Sequence, residues 1–445
     1  MTVGSIQLIR MPKSLRPIVS LLLGLAFLLA GGGLQFMLLP LRGSAEGFDD
    51  LALGVISSAY YVGFVSGCLL SPYLILRAGH IRAFTAMVAV AAAVALAYPL
   101  VPAVAAWIVF RGVTGLCFAG LYLVVESWLN DRASNETRGL VMSAYVVVNY
   151  GAITLGQALV TLYPIAESGN FMVAAMLCSL AIVPVALTRA AQPAPVTIVS
   201  FHVGQLYRAA PVALVASFMI GAANGAFWGL APLSAVGSGL SIDQTALFMS
   251  TAVLAGAIVQ WPIGRLSDRV DRRLVLLVLL IGAAAAGVAS WLISASGTML
   301  LLFGILFGAL ALPGYSLAAA HAYDKTPASD VVPIAATILL ANGLGSVFGP
   351  LLAAAFMSVQ GPRALFLFTA MVQALLAAYV FHRTRVQVSL ASPQKTEFDL
   401  AATALVGTVV THEALDPADP SISIPEAYAR APMQANAGSA ARSEP

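Results

Sequence analysis

Twelve apolar stretches, each close to the roughly 20 residues that cross a bilayer as a helix, run through this 445-residue chain. They fall at residues 17–41, 51–76, 84–101, 102–129, 139–163, 170–188, 211–236, 243–266, 273–294, 298–323, 331–357 and 363–381. Lipid is therefore the solvent for most of the chain. Composition agrees: 60% of the residues are hydrophobic and 9% charged, against about 25% charged in an ordinary soluble protein. A soluble enzyme, a secreted disulfide scaffold and a disordered regulator are excluded, because so few polar side chains could not cover a wet surface. The first stretch follows Arg10, Lys13 and Arg16 and continues to Leu41. That exceeds the apolar region of a signal peptide, about 7–15 residues, and no small-residue cleavage site follows. It reads as a first transmembrane helix.

The basic residues set the topology. With both termini in the cytoplasm, the segments on that side hold Arg10, Lys13, Arg16, Arg77, Arg82, Arg132, Arg138, Arg189, Arg208, Arg265, Arg269, Arg272, Arg273, Lys325, Arg383 and Arg385; the opposite side holds Arg42 and Arg363. This is a strong positive-inside bias, and a missed or invented span would have blurred it. The Asn135-Glu136-Thr137 glycosylation triplet then faces the cytoplasm. The expected organisation is a cytoplasmic N-terminus at 1–16, a six-helix bundle at 17–188, a cytoplasmic linker at 189–210, a second six-helix bundle at 211–381 and a disordered tail at 382–445, with a short helix near 398–406. A net charge of +3 without any Lys/Arg run interleaved with aromatics points away from nucleic acid. Cys68, Cys117 and Cys178 lie singly in apolar stretches and read as small embedded hydrophobes, with neither metal nor disulfide spacing.

The two halves repeat. A shift of 193 residues brings Asp50 onto Asp243, Gly63 onto Gly256, Tyr122 onto Tyr315, Asp131 onto Asp324, Asn149 onto Asn342 and Gly156 onto Gly349. A shift of 192 brings Gly33 onto Gly225, Phe36 onto Trp228 and Pro40 onto Pro232. Chance alignment of apolar sequence would match Ala, Leu and Val, whereas these matches fall on polar residues, Gly and Pro. A six-span unit used twice is the architecture of secondary transporters, in which two bundles move about a site near the bilayer midplane.

Loop residues carry a family resemblance. Gly264-Arg-Leu-Ser-Asp268-Arg269-Val-Asp271-Arg272-Arg273, after the eighth span, is similar to the Gly-x3-Asp-Arg-x-Gly-Arg-Arg signature of the major facilitator superfamily, with Asp271 for its second Gly. In the first half, Arg77 and Gly79 match, while Pro72 and Leu76 stand for the first Gly and the Asp. Arg111-Gly-Val-Thr114-Gly115 resembles the superfamily's Arg-x-x-Gln-Gly signature. The stretch Leu121–Asn130 with Glu126, Ser127 and Trp128, together with Tyr315, His321 and Asp324, resembles the YcaD-like group of bacterial transporters. The resemblance implies an all-α polytopic membrane fold, twelve transmembrane helices in two pseudo-symmetric six-helix bundles. It also implies a carrier of a small organic solute by alternating access, in the bacterial inner membrane. Proton-coupled efflux is the preferred direction, and a monomer the expected state. An uncoupled facilitator and a non-transporting membrane sensor are the alternatives. Neither cofactor nor metal is expected.

Ionisable groups inside a span are costly enough to be functional candidates. Arg111 is either a cavity-facing cation that steers a proton or holds an anionic solute, or an anchor between the first, second and fourth spans. Glu126, near the end of the same helix, is either paired with Arg77 as a latch, as the resemblance implies, or a proton-coupling carboxylate. Asp268 is expected to close the cytoplasmic side toward the fifth span, Arg269 or Arg272, with Gly264 and Arg77 in the same gate. Asp50 and Asp243 read as helix N-caps. The resemblance implies a central cavity, for which Gln35, Tyr60, Tyr61, Tyr122, Asn224, Trp228, Tyr315 and Asn342 are the candidate lining residues, beside Asn149 and Gln260. Amides and aromatics with one cation suit a neutral or weakly anionic amphiphile. A membrane-embedded enzyme would need a convergent catalytic set within the spans, and a primary pump a phosphate-binding loop; neither is present in the sequence.

Overall fold

The computed structural model describes residues 16–132, 138–187, 193, 200–292 and 297–386. These residues form helices and no strand, and twelve candidate membrane spans are present. The first half holds α1 (Arg16–Ala45), α2 (Asp50–Ala78), α3 (His80–Leu100), α4 (Val104–Arg132), α5 (Arg138–Ala158), α6 (Gly169–Leu180) and α7 (Ile182–Ala186). A short helix, α8 (Val203–Ala209), precedes the second half. There follow α9 (Pro211–Gly237), α10 (Ile242–Arg269), α11 (Arg272–Leu292), α12 (Gly297–Ala311), α13 (Gly314–Tyr323), α14 (Val331–Gln360) and α15 (Ala364–Val386). The sixth span is α6 with α7, and the tenth is α12 with α13, broken at Leu312-Pro313 where proline cannot continue the hydrogen-bond ladder.

Both helix caps read from the sequence shift to a neighbouring residue, and several helices run past their expected bounds, α1 to Ala45 and α14 to Gln360 among them. Asp49, not Asp50, caps α2: it is extended, and its carboxylate accepts the Ala52 N–H at 2.7 Å. Ser241, not Asp243, caps α10, with Gln244 closing a reciprocal capping box. Asp50 and Asp243 lie in the first turns instead, where a carboxylate complements the helix dipole. The last helix runs to Val386, five residues past the expected boundary, carrying Arg383 and Arg385 in its final turn, where cations are favoured. The expected linker contains α8, whose flanks are tied down: the His202 N–H donates to Thr337 Oγ1 at 2.8 Å, and Gln205 Nε2 donates to Asp330 Oδ2 at 2.6 Å. The N-terminal segment, the rest of the linker and the expected tail helix at 398–406 lie outside the described residues.

Packing inside the halves follows the repeat. In lipid, apolar burial does not drive helices together, so close approach at small residues does. A Cβ on Gly156 would strike the Ala30 backbone, and one on its repeat mate Gly349 the Ala222 backbone; Gly33 meets Ile153 as Gly225 meets Ser346. Gly115 rests on the Tyr60 backbone in α2 as Gly308 rests on that of Ala252 in α10. The α1–α5 and α2–α4 contacts are thus rebuilt as α9–α14 and α10–α12. Outward faces carry large apolar residues, such as Leu140, Val147 and Leu155 on α5.

The two bundles meet mainly through α2 with α14, α5 with α10, and α9 with α1 and α2. Along α2 and α14 the contact runs from Gly54, against Ala354 and Pro350, to Gly343, against Val65. Ser57 Oγ donates to the Gly229 carbonyl at 3.2 Å and Ser250 Oγ to that of Thr154 at 3.4 Å. These bonds lie toward the end of the bundles away from Arg77, Arg269 and Arg272. The opposite, basic end carries the sequence signatures.

Candidate functional site

A cavity of about 270 Å³ lies between the bundles. Its wall comes from α1 (Gly32, Gly33, Phe36), α2 (Tyr60, Tyr61, Phe64), α4 (Phe118, Tyr122), α5 (Tyr145, Asn149, Tyr150), α9 (Asn224, Trp228), α10 (Gln260), α13 (Tyr315, Ser316) and α14 (Asn342, Ser346). The rings form a continuous belt. Trp228 meets Phe36 edge-on with centroids 6.2 Å apart, Phe36 meets Tyr60 at 4.9 Å, and Tyr60 meets Tyr61 at 5.3 Å. Tyr60 continues to Phe64 at 6.1 Å and Phe64 to Tyr122 at 6.3 Å. Trp228 and Phe36 are repeat mates that face each other across the two bundles.

Polar bonds cross the same space. Tyr150 Oη donates to Gln260 Oε1 at 3.1 Å, and Gln260 Nε2 donates to Ser316 Oγ at 2.5 Å. The first of these joins the two bundles. Asn342 Nδ2 donates to the Ser217 carbonyl at 3.1 Å, fastening α14 to α9. Asn224 Oδ1 is buried without a partner among the described residues.

No charged side chain lies on the wall. Arg111 is 3% exposed and sits one layer behind it, its Cζ 4.4 Å from the Phe36 centroid and 4.5 Å from that of Tyr60. Two ring faces hold the guanidinium, an interaction strengthened by the absence of water. No ion pair to Arg111 is present among the described residues. Glu126 is 1% exposed and accepts a hydrogen bond from the Tyr145 hydroxyl. Cation and carboxylate are about 22 Å apart along α4 at 1.5 Å per residue.

Related proteins share this plan. A family description, Major Facilitator Superfamily, matches residues 213–433. A protein of Escherichia coli described as an uncharacterized MFS-type transporter, YcaD, is 30% identical over 359 residues, covering 80% of this chain and 93% of the relative. The chain belongs to the major facilitator superfamily. An Escherichia fergusonii protein of the same description is 28% identical over 372 residues, 83% of this chain and 96% of that one. Among solved structures, the nucleoside transporter NupG superposes with a TM-score of 0.69 at 13% identity, over 82% of this chain and 98% of that one. A bacterial homologue of the human lysosomal transporter Spinster, in an inward-facing and unoccupied conformation, also gives 0.69 at 13% identity, over 86% of this chain and 100% of that one. At such identity these structures speak to the fold. The chain is a multi-pass membrane protein and, by its family, a transporter of a small solute.

Within this superfamily member, the sequence candidates separate into three groups. Tyr60, Tyr61, Tyr122, Asn224, Trp228, Tyr315 and Asn342 stand on the cavity wall, as do Asn149 and Gln260. Gln35 does not. It falls four residues after Gly31, which packs on Ala174 and Cys178 of α6, whereas Gly32 and Phe36 take the cavity face. Gln35 is 1% exposed, and both polar atoms of its amide have no partner among the described residues. Arg111 likewise misses the wall, by the thickness of one ring.

At the basic end, Arg272 is the organising residue. Its side chain is buried and binds the Asp324 carboxylate through Nε at 2.8 Å and Nη2 at 3.3 Å, Asp268 at 3.2 Å, and Ser267 Oγ at 3.1 Å. Ser267 Oγ in turn donates to the buried Gly264 carbonyl at 2.6 Å. Asp268 therefore pairs with Arg272 within its own bundle. Asp271 pairs with Arg273 at 2.8 Å. Arg269 is exposed. Arg77 is exposed as well, and no pair joins it to Glu126 among the described residues; Glu126 is buried and accepts a bond from Tyr145.

Sequence reasoning missed Phe64, Phe118, Tyr145, Tyr150, Ser316 and Ser346 as wall residues, and Phe36 entered only as a repeat match. On α5 a signal was available. Tyr145, Asn149 and Ile153 repeat every four residues, flanked by Val146 and Tyr150, on the face opposite lipid-exposed Leu140, Val147 and Leu155.

Proposed function

We propose that this protein is a secondary carrier of the bacterial inner membrane that exports a small neutral or weakly anionic amphiphile by alternating access, in exchange for protons. The cavity between repeat-related bundles, walled by rings and amides and sealed at the end away from the basic loops, carries the reading. With those loops and both termini in the cytoplasm, this conformation faces inward. The Arg272–Asp324–Asp268 cluster, with Gly264, Arg269 and Arg77 around it, stiffens the cytoplasmic ends that must approach each other when the carrier turns outward.

Arg111 holds Phe36 and Tyr60 in place and sets a positive potential behind the ring wall. Glu126 is the coupling carboxylate. It is the one acidic side chain among the described residues that is buried more than a turn inside a span, and Tyr145, its hydrogen-bond donor, stands on the cavity wall. A monomer suffices, since both halves of the site come from one chain.

The test is flux in proteoliposomes over chemically diverse solutes, with and without a pH gradient. Accumulation of a solute driven by an outward proton gradient, from an acid lumen, supports exchange for protons, and accumulation driven by an inward gradient overturns it. Flux indifferent to the gradient makes the protein a facilitator. Absence of flux for every solute, with the protein correctly inserted, overturns the carrier reading.

A further inference from the structure

The cavity wall carries enough chemistry to specify its ligand further, on the reading that the cavity binds the transported solute. We propose that the solute is an uncharged, planar aromatic or heteroaromatic molecule, of one or two rings, that presents a hydrogen-bond donor.

Three observations converge on this class. The first is charge. No acidic or basic side chain lines the cavity, Arg111 is occupied by the outer faces of Phe36 and Tyr60, and Glu126 is bonded to Tyr145 behind the wall. An ion entering this space would lose its hydration and meet no counter-charge in direct contact, since the Arg111 guanidinium lies behind the Phe36 and Tyr60 rings. The second is shape and surface. The belt from Trp228 through Phe36, Tyr60 and Phe64 to Tyr122 presents ring edges and faces from four helices of both bundles. Such a wall favours a flat π-surface over an aliphatic body of equal size. A volume of about 270 Å³ lies just below the range of ligand pockets, about 300–1,000 Å³. That leaves room for a compact bicyclic molecule and little more.

The third observation is an unfilled acceptor. Of the wall amides, Gln260 spends its oxygen on Tyr150 and its nitrogen on Ser316, and Asn342 spends its nitrogen on the Ser217 carbonyl. Asn224 Oδ1 is buried and has no partner among the described residues. Asn224 stands one turn from Trp228 on the cavity face of α9. An orphaned amide oxygen calls for a donor, and a turn of the Asn224 amide that brings its buried oxygen to the cavity lets an N–H or O–H on a stacked ring supply it. Sequence duplication did not place this pair: the residues of α1 aligned with Asn224 and Trp228 are Gly32 and Phe36, so the acceptor is a feature of the second half alone.

The experiment uses the full chain and ligands that differ in charge or ring character alone. Indole-3-acetamide, indole-3-acetate and tryptamine share a ring and carry no charge, a negative charge and a positive charge. Nicotinamide and nicotinate form a second pair, and cyclohexylacetamide keeps the amide without the ring. Binding is read as the ligand-induced shift in thermal unfolding of the purified protein, and as competition with radiolabelled neutral ligand. The neutral ring compounds are expected to bind about tenfold more tightly than their charged or saturated counterparts. That binding should be lost in Asn224→Ala and Trp228→Ala, and kept in Gln35→Leu, whose site lies off the wall. Equal or tighter binding of a charged or saturated compound, or no binding by any neutral ring compound, overturns the proposal. Flux of the same compounds is measured separately. Binding of neutral rings without flux upholds the ligand class while removing the carrier reading. Flux confined to charged or aliphatic solutes upholds the carrier and removes the ligand class.

Discussion

The basic ends of the two halves are built on one backbone plan and held by different chemistry. In the second half, Arg272 is buried between Asp324, Asp268 and Ser267. In the first half the residue at the same repeat position is Gly79, whose φ of +82° makes the turn between α2 and α3. That backbone conformation suits glycine and penalises an L side chain, so this turn cannot also supply the arginine. The second half makes its turn with Val270 and Asp271, one step earlier, and the arginine position is freed. Asp131, the mate of Asp324, is paired with the adjacent Arg132 at 3.7 Å. Buried His80 approaches Ser127 Oγ at 3.4 Å and the Trp128 ring at 6.3 Å. Duplication has therefore preserved the small-residue contacts that set helix spacing, while the charged clusters diverged. The second half buries an arginine between two carboxylates here, where the first half places buried His80 beside Ser127 and Trp128 and a more exposed Asp131–Arg132 pair.

The largest expected effect separates these two arrangements. Arg272→Ala strands the buried Asp324 carboxylate and should cost about 3–5 kcal/mol, seen as a much lower unfolding midpoint in detergent. Arg77→Ala, at an exposed site of the first half, should change stability by less than about 0.5 kcal/mol. Equal effects from the two would erase the asymmetry.

A second contrast concerns packing that the repeat does share. A Cβ on Gly63 would strike the backbone of Gly112, whereas one on its mate Gly256 would meet chiefly the side chain of Leu312, at 2.7 Å. Gly63→Ala should therefore destabilise by about 1–3 kcal/mol, and Gly256→Ala by less. The reverse order in thermal unfolding would contradict the assigned contacts. Arg111 has no counterpart, since Gly304 occupies its repeat position. Arg111→Ala should reduce flux by at least about tenfold while leaving membrane insertion intact. Unimpaired flux would end its role.

The smallest effect is at Gln35. Its mate Phe227 is fully buried and stacks on Phe307 with centroids 5.0 Å apart, whereas Gln35 buries an amide with no partner among the described residues. Gln35→Leu should gain about 1 kcal/mol without altering flux. A loss of flux would put Gln35 back in the transport site.

The contrast also explains what the sequence could disclose. Spans, repeat and signatures were legible because lipid demands long apolar helices and because matches such as Asn149 with Asn342 and Gly156 with Gly349 stand out in apolar text. Rotation about each helix axis was not. Gln35 and Phe36 are adjacent in sequence, yet one faces α6 and the other the cavity, and in a membrane both faces of α1 are apolar. Arg111 shows the same limit: its depth followed from its place in the span, but the ring layer in front of it required the positions of α1 and α2. The expected Arg77–Glu126 latch is not formed in this conformation, where Tyr145, on the next helix, reaches Glu126.

The central claim is that the two halves move as bodies about the ring-lined cavity, closing one end as the other opens. Spin labels at residues 140 and 266 report the basic end, and labels at 162 and 243 the opposite end, in a variant lacking Cys68, Cys117 and Cys178. Pulsed electron resonance distances are measured in proteoliposomes in acid and alkaline buffer, with and without a transported solute. The account predicts that the two distances change in opposite directions, the basic end shortening as the other lengthens. Distances that stay fixed in every condition, or that change together, would contradict it.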